Sequence, residues 1–94
     1  MIISMEINKT IIDKIKSIVK KYLNGRYSED DFHAELNSLI PSITESELLD
    51  IREFLETIEG ELEMIDFLSE QKNRPKDYRF VVKKIEIFCQ DIVD

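Results

Sequence analysis

Carboxylates dominate the side chains of this sequence that could do chemistry. There are 20 Asp and Glu residues but a single histidine, His33, and a single cysteine, Cys89. A Ser/His/Asp or Cys/His arrangement needs a histidine as its base. His33 follows the apolar Phe32 near the start of a predicted helix, where a position at the core boundary explains it. Cys89 shares a predicted helix face with Val82 and Ile85, which is typical of a core thiol. The sequence therefore predicts a protein that is not an enzyme.

The same side chains form no metal or cofactor motif. A di-iron carboxylate bundle takes two Glu-x-x-His pairs, whereas this chain has one histidine and its Glu56/Glu59 pair points away from the predicted core. A calcium loop needs alternating oxygen ligands around a glycine turn, whereas the acids at positions 29–31 are consecutive. Acids in this position suit the start of a helix, because they face the positive end of its dipole. The sequence contains no glycine-rich loop that could hold a phosphate. We expect no metal and no cofactor.

Carboxylates of the third predicted helix are spaced so that several of them share one side. Positions 56, 59, 63, 66 and 70 recur every three or four residues, about 100° around the helix from its apolar seam. Like charges at this spacing repel by about 0.2–0.5 kcal/mol per pair. These five acids and two earlier ones are the candidate partner-binding residues: Asp50, Glu53, Glu56, Glu59, Glu63, Asp66 and Glu70.

Charge is concentrated in the middle of the chain. Residues 28–70 carry fourteen acids against Arg52 alone, whereas residues 1–27 and 71–94 are each net positive. The overall charge of −7 argues against nucleic acid and anionic membranes as ligands, since both attract cationic proteins. Two interpretations of the acidic segment stay open. It is either a solvated face, with or without pairing to lysines of the first helix, or a surface that attracts a basic protein.

Helical periodicity accounts for the first half of the chain. Apolar residues recur every three or four positions from about Asn8 to Leu23, and Gly25 predicts the end of this first helix. Ser28 is a good cap for a second helix, since its hydroxyl can accept a free backbone N–H. Pro41 ends that helix, because the residue before a proline is pushed out of helical geometry.

The third predicted helix begins at a capping box formed by Thr44 and Glu47 and reaches about Glu70. Gly60 falls inside it, where we expect a bend or a close helix crossing. A polar break at residues 71–76 separates it from the fourth helix. The apolar seam of the third helix comprises Leu48, Ile51, Leu55, Ile58, Leu62 and Ile65. The apolar face of the fourth comprises Tyr78, Val81, Ile85, Phe88 and Ile92.

These elements predict one all-α domain over residues 1–94, an antiparallel four-helix bundle. The single cysteine excludes an internal disulfide, and no apolar run reaches the length of a membrane span. The apolar run at residues 1–5 is too short for the core of a secretory signal, so we expect a cytoplasmic protein. The sequence leaves open whether it is a monomer or a homodimer.

The order of these segments resembles a known family. A helix ending in Tyr22-Leu23-Asn24-Gly25 is followed by Tyr27-Ser28-Glu29-Asp30-Asp31-Phe32, a long acidic helix and a closing helix with Tyr78-Arg79. This pattern resembles small bacterial immunity proteins of the colicin D type, including those of contact-dependent growth inhibition systems. The resemblance implies a helical bundle that binds the nuclease domain of a toxin and covers its basic cleft, with carboxylates in place of RNA phosphates.

Two hypotheses of function follow. In the first, the chain is an immunity protein that blocks a basic toxin nuclease, an RNase or tRNase, with its acidic surface. In the second, it is a small helical adaptor or regulatory protein that binds a partner helix, or a second copy of itself, through an apolar face. Salt dependence separates the two, because exposed charges are screened over about 8–10 Å.

Overall fold

The computed structural model describes residues 2–93, and the side chains of residues 10–91. Its helices are α1 (Ile2–Leu23), α2 (Glu29–Leu39), α3 (Leu49–Leu68) and α4 (Arg74–Val93), with short 3₁₀ turns at Ile40–Ser42 and Ser46–Leu48. The chain is 84% helical, and no strand occurs among the described residues. The predicted all-α four-helix bundle is therefore confirmed. Met1 and Asp94, which the predicted domain includes, lie outside the described residues. Within residues 2–93, no helix combines the length and the apolar character needed to cross a membrane.

The helices pack in chain order around one core. α1 packs against α2, α2 against α3 and α3 against α4, and α4 closes the ring against α1. Short connections between successive neighbours give the antiparallel arrangement. α3 therefore has α2 on one flank and α4 on the other, while α1 lies across the bundle from it.

The C-terminal end of α1 and the start of α2 follow local rules. Gly25 has φ +80°, and the backbone N–H groups of Gly25 and Arg26 donate to the carbonyls of Tyr22 and Lys21. These contacts terminate α1 as predicted. Ser28 Oγ accepts from the Asp31 N–H and Asp31 Oδ2 accepts from the Ser28 N–H, each at 3.1 Å. The predicted start of α1 near Asn8 was too late, because no Pro or Gly interrupts the preceding residues and the helix begins at Ile2.

The predicted start of α3 was wrong. Thr44 and Glu47 do not form a capping box: a 3₁₀ turn occupies Ser46–Leu48, and α3 begins at Leu49 without a side-chain cap. Ile43 and Leu48 are both buried, so the chain between them turns tightly to insert both into the core. α3 also ends at Leu68, short of Glu70, since the backbone at Ser69 is extended.

The predicted seam forms the core side of α3, and five of its six residues are buried. Only Ile65, near the end of α3, is partly buried. On α4 the buried residues include Tyr78, Val81 and Ile85, whereas Phe88 is partly buried and stacks on Phe54 with 3.9 Å between ring centroids. Ile92, predicted for the same face, lies outside the described side chains.

Candidate partner-binding surface

The seven candidate carboxylates do not form one continuous surface. At about 100° per residue, Asp50 lies about 140° around α3 from Glu63, and Glu53 about 80° from it. Glu70 lies beyond the end of α3, with its carboxylate 3.6 Å from Lys72 Nζ. The other four lie within about 80° of one another around α3, and Glu59 and Asp66 contact His33 on α2. We call this group the acidic edge: Glu56, Glu59, Glu63 and Asp66.

His33 on α2 lies between two carboxylates of the acidic edge. Its Nε2 is 3.0 Å from Glu59 Oε2 and its Nδ1 is 3.1 Å from Asp66 Oδ2. The imidazole is 14% exposed, in agreement with the predicted boundary position. His33 therefore joins α2 to α3 through contacts with two carboxylates.

Asp66 is the most heavily bonded member of the acidic edge. The buried Tyr78 hydroxyl lies 2.8 and 2.9 Å from its two oxygens, and Arg74 Nε donates to Oδ1 at 2.9 Å. Partial burial would raise the pKa of Asp66, but hydrogen bonds from Tyr78 and Arg74 and the positive charge of Arg74 outweigh it and lower that pKa. Asp66 is therefore ionised and held in place by α2 and α4.

Arg74 binds carboxylates of α2 and α3, and the sequence prediction missed this role. It falls in the predicted polar break, yet it is the first residue of α4. Its guanidinium donates to Asp30 on α2 at 2.6 Å as well as to Asp66, and these bonds, the one to Asp30 first, raise the pKa of Arg74. It also lies over the Tyr78 ring, 5.1 Å from the centroid. The available signal was its position directly before Pro75, since proline is favoured in the first turn of a helix.

The outer half of the acidic edge has few cations. Glu56 pairs with Arg52 one turn earlier, at 3.5 Å, and such exposed pairs contribute only about 0.3–0.5 kcal/mol. Glu63 is fully exposed and has no Lys or Arg partner among the described side chains. A hydrogen bond with Glu59 and the negative charge of Glu59 raise the pKa of Glu63. The carboxylates of Glu59 and Glu63, on successive turns of α3, thus lie side by side.

The lysines of α1 do not neutralise the acidic edge. None of Lys14, Lys16, Lys20 and Lys21 forms an ion pair with a carboxylate of α3 in the described part of the chain. The reason is the packing order, which places α1 across the bundle from α3. Pairing of these four lysines with the acidic helix is therefore wrong, and the interpretation as a solvated face stays open.

A second exposed feature is an apolar groove between α3 and α4. It encloses about 630 Å³, and its lining includes Gly60, Met64, Phe80 and Val81. The side chains of Met64 and Phe80 are more than half exposed, and Phe67 on the adjoining turn is 89% exposed. A Cβ on Gly60 would meet nothing within 4 Å, so the expected close helix crossing at this glycine is wrong. Gly60 instead helps to leave the groove open.

Cys89 lies in the core, as predicted. Its side chain is buried, and burial raises the pKa of the thiol above its ordinary value. A buried, protonated thiol is a poor nucleophile, which agrees with the packing role assigned to it from the sequence.

Comparison of the chain with protein-family models, with curated proteins and with solved structures finds no match. The acidic edge and the apolar groove are the two exposed features of the described structure that suit a binding partner.

Proposed function

We propose that this chain is a non-catalytic binding protein whose acidic edge holds a positively charged protein domain. The observation that carries the proposal is the exposed carboxylate of Glu63, which lies beside Glu59 and has no Lys or Arg partner among the described side chains. Two like charges on successive turns are unfavourable in the isolated protein. A cationic group of a partner would be attracted by both carboxylates and would offset their repulsion.

The edge is suited to steering a partner as well as holding it. Glu59 and Asp66 are oriented by His33, Tyr78 and Arg74, so part of the negative charge is fixed before a partner arrives. Fixed charges lose less conformational freedom on binding than mobile side chains do. A field of one sign also accelerates association with a domain of the opposite sign.

The resemblance to colicin D-type immunity proteins supports a specific partner class, the nuclease domain of a toxin. A domain that binds RNA must present cations to phosphates, and the acidic edge presents carboxylates in a comparable row. In this proposal the edge occupies the basic cleft of the nuclease and excludes its substrate, and the inhibition takes place in the cytoplasm.

The test measures binding to a basic nuclease domain of a toxin, the partner class that the proposal names. One variant combines Glu56→Lys with Glu63→Lys, two exposed positions of the acidic edge. The matched control combines Asp13→Lys with Asp50→Lys, which changes the charge equally at exposed positions on α1 and on another side of α3. We expect the edge variant to bind at least about 100-fold more weakly, about 2.8 kcal/mol, and the control to lose less than about fivefold.

Calorimetry at low and at moderate salt, together with protection of RNA from the nuclease, gives the two readouts. Affinity should fall as salt rises, since exposed charges are screened. Equal losses in the two variants would show a response to net charge alone, and unchanged binding in the edge variant would refute the proposal.

A second candidate function rests on the apolar groove. Met64, Phe67 and Phe80 are large and exposed, and Met64 and Phe80 line the same groove, which offers an apolar surface to a partner. An adaptor that binds an apolar helix, or a second copy of this chain, would use this groove. Phe80→Asp should then abolish binding or dimerisation with little dependence on salt, while the Glu56/Glu63 variant should leave both intact.

A further inference from the structure

We propose that His33 Nε2 and the carboxylates of Glu59 and Glu63 form a binding site for a divalent transition-metal ion, with zinc as the preferred ion. One ligand comes from α2 and two from successive turns of α3. The three ligand atoms all lie within 4.8 Å of one another. The site shares Glu59 and Glu63 with the acidic edge, but it takes a metal ion in place of a protein, and its test does not require the proposed partner.

The spacing fits tetrahedral coordination after small side-chain rotations. Zinc lies about 2.0–2.2 Å from nitrogen and oxygen ligands, so two ligands of a tetrahedral site are about 3.3 Å apart. His33 Nε2 and Glu59 Oε2 are 3.0 Å apart. Glu63 is exposed and follows Glu59 by one helical turn, so its side chain is free to complete the set.

The other side of the imidazole supports metal binding at Nε2. Histidines that ligate metals commonly donate their second ring N–H to a carboxylate, which fixes the tautomer and the orientation of the ring. Asp66 Oδ2 lies 3.1 Å from His33 Nδ1, and Tyr78 and Arg74 hold that carboxylate in place. With hydrogen on Nδ1, the lone pair of Nε2 faces Glu59, and a cation between them removes the repulsion between lone pairs.

The donor set decides which ion fits. One imidazole nitrogen with two carboxylates suits zinc and its neighbours in the first transition row, whereas magnesium and calcium prefer oxygen ligands alone. Three protein ligands leave a fourth position. Since Glu63 is exposed, that position faces solvent, where water or a group from a partner can fill it.

The test uses the untagged full chain, because His33 is its only histidine. The Hε1 and Hδ2 signals of a single imidazole can be followed by NMR without assignment of the whole spectrum. We expect these signals to shift on addition of Zn²⁺ and to stop shifting at one equivalent, with no change on addition of Mg²⁺. Co²⁺ should give the visible absorption of a tetrahedral nitrogen and oxygen site, without the thiolate bands that Cys89 would produce.

Glu63→Gln is the decisive variant, because an exposed side chain can be replaced without loss of the fold. Mutation of a residue that hydrogen-bonds to a metal ligand commonly lowers the metal affinity about 10- to 100-fold. Loss of a ligand itself should therefore weaken Zn²⁺ binding at least about tenfold. Glu53→Gln, an exposed glutamate on the same helix, should bind as the unaltered protein does. Absence of saturable binding, metal binding that leaves the His33 signals unshifted, or equal affinity in the two variants would overturn the site.

Discussion

Replacement of Tyr78 by Phe removes one hydroxyl from the contact between α3 and α4. The Tyr78 side chain is fully buried, and its hydroxyl lies 2.8 and 2.9 Å from the two oxygens of Asp66. The ring and its packing are kept in the variant, so no large cavity forms. A hydrogen bond to a charged group contributes about 1.5–3 kcal/mol, and loss of the donor also leaves the acceptor less satisfied. Because Asp66 keeps Arg74 and His33 and is partly exposed, we expect Tyr78→Phe to lower the free energy of unfolding by about 1.5–2 kcal/mol.

Urea unfolding followed by far-ultraviolet circular dichroism measures this change, since the chain is almost wholly helical and has no tryptophan. The urea midpoint should fall while the dependence on urea concentration stays the same, because the surface exposed on unfolding does not change. Tyr27→Phe is the matched control. Tyr27 is partly buried against the core and contacts Lys21, but its hydroxyl makes no hydrogen bond in the described structure.

The control should change the free energy of unfolding by less than about 0.5 kcal/mol. If Tyr78→Phe costs no more than Tyr27→Phe, Asp66 does not depend on Tyr78, and its assigned role as the junction of α2, α3 and α4 is wrong. Combining Tyr78→Phe with Asp66→Asn extends the test, since two groups in direct contact should show a coupling of about 0.5–3 kcal/mol.

Three further predictions concern the glycines, the tyrosines and the cysteine. Gly60→Ala should stabilise the protein by about 0.5–1 kcal/mol, since nothing blocks a Cβ in this helix; Gly25→Ala should destabilise it by about 1–2 kcal/mol, since φ is +80°, and urea unfolding measures both. Burial is the main cause that raises the pKa values of Tyr22 and Tyr78. A hydrogen bond to Glu29 raises the pKa of Tyr22 further, and one to Asp66 raises that of Tyr78. Their contribution to stability is therefore complete below about pH 10, the ordinary tyrosine value, and is lost as the pH rises above it; unfolding at pH 8 and pH 11 should show the fall, and a flat profile would contradict it. Cys89 should react with a thiol reagent only after unfolding, because it is buried; rapid labelling of the native protein would contradict its place in the core.

The predictable parts of this molecule are those governed by neighbours in the chain. Spacing of three and four residues placed Leu55 and Leu62 in the core, and both are fully buried. Ser28 caps α2 through contacts three residues apart. The prediction of where α3 starts was wrong because contacts with the core, and not neighbours in the chain, decide it. The Thr44 and Glu47 pattern is a sound local cap, but burial of Ile43 and Leu48 imposed a tighter turn there.

The position of the acidic residues was predictable only in part. The spacing of positions 56, 59, 63, 66 and 70 predicted one stripe on the third helix, but Glu70 lies beyond the end of α3. Nothing in that spacing indicates that His33 inserts between two of them. The second hypothesis named an apolar face but did not place it between α3 and α4, although Met64 and Phe67 lie outside the apolar seam and are exposed.

By itself, the sequence determined the number of helices, the core face of each and the concentration of negative charge on the third. Those properties depend on side-chain periodicity and on composition, which are both read along one chain. The order of packing around the core decided the rest. It put α1 and its lysines across the bundle from α3, and it brought Arg74, His33 and Tyr78 to Asp66 from 8, 33 and 12 positions away. Charged residues of two helices come into contact only when the helices are adjacent and each is rotated so that the residues face one another. The periodicity of a single helix specifies neither condition.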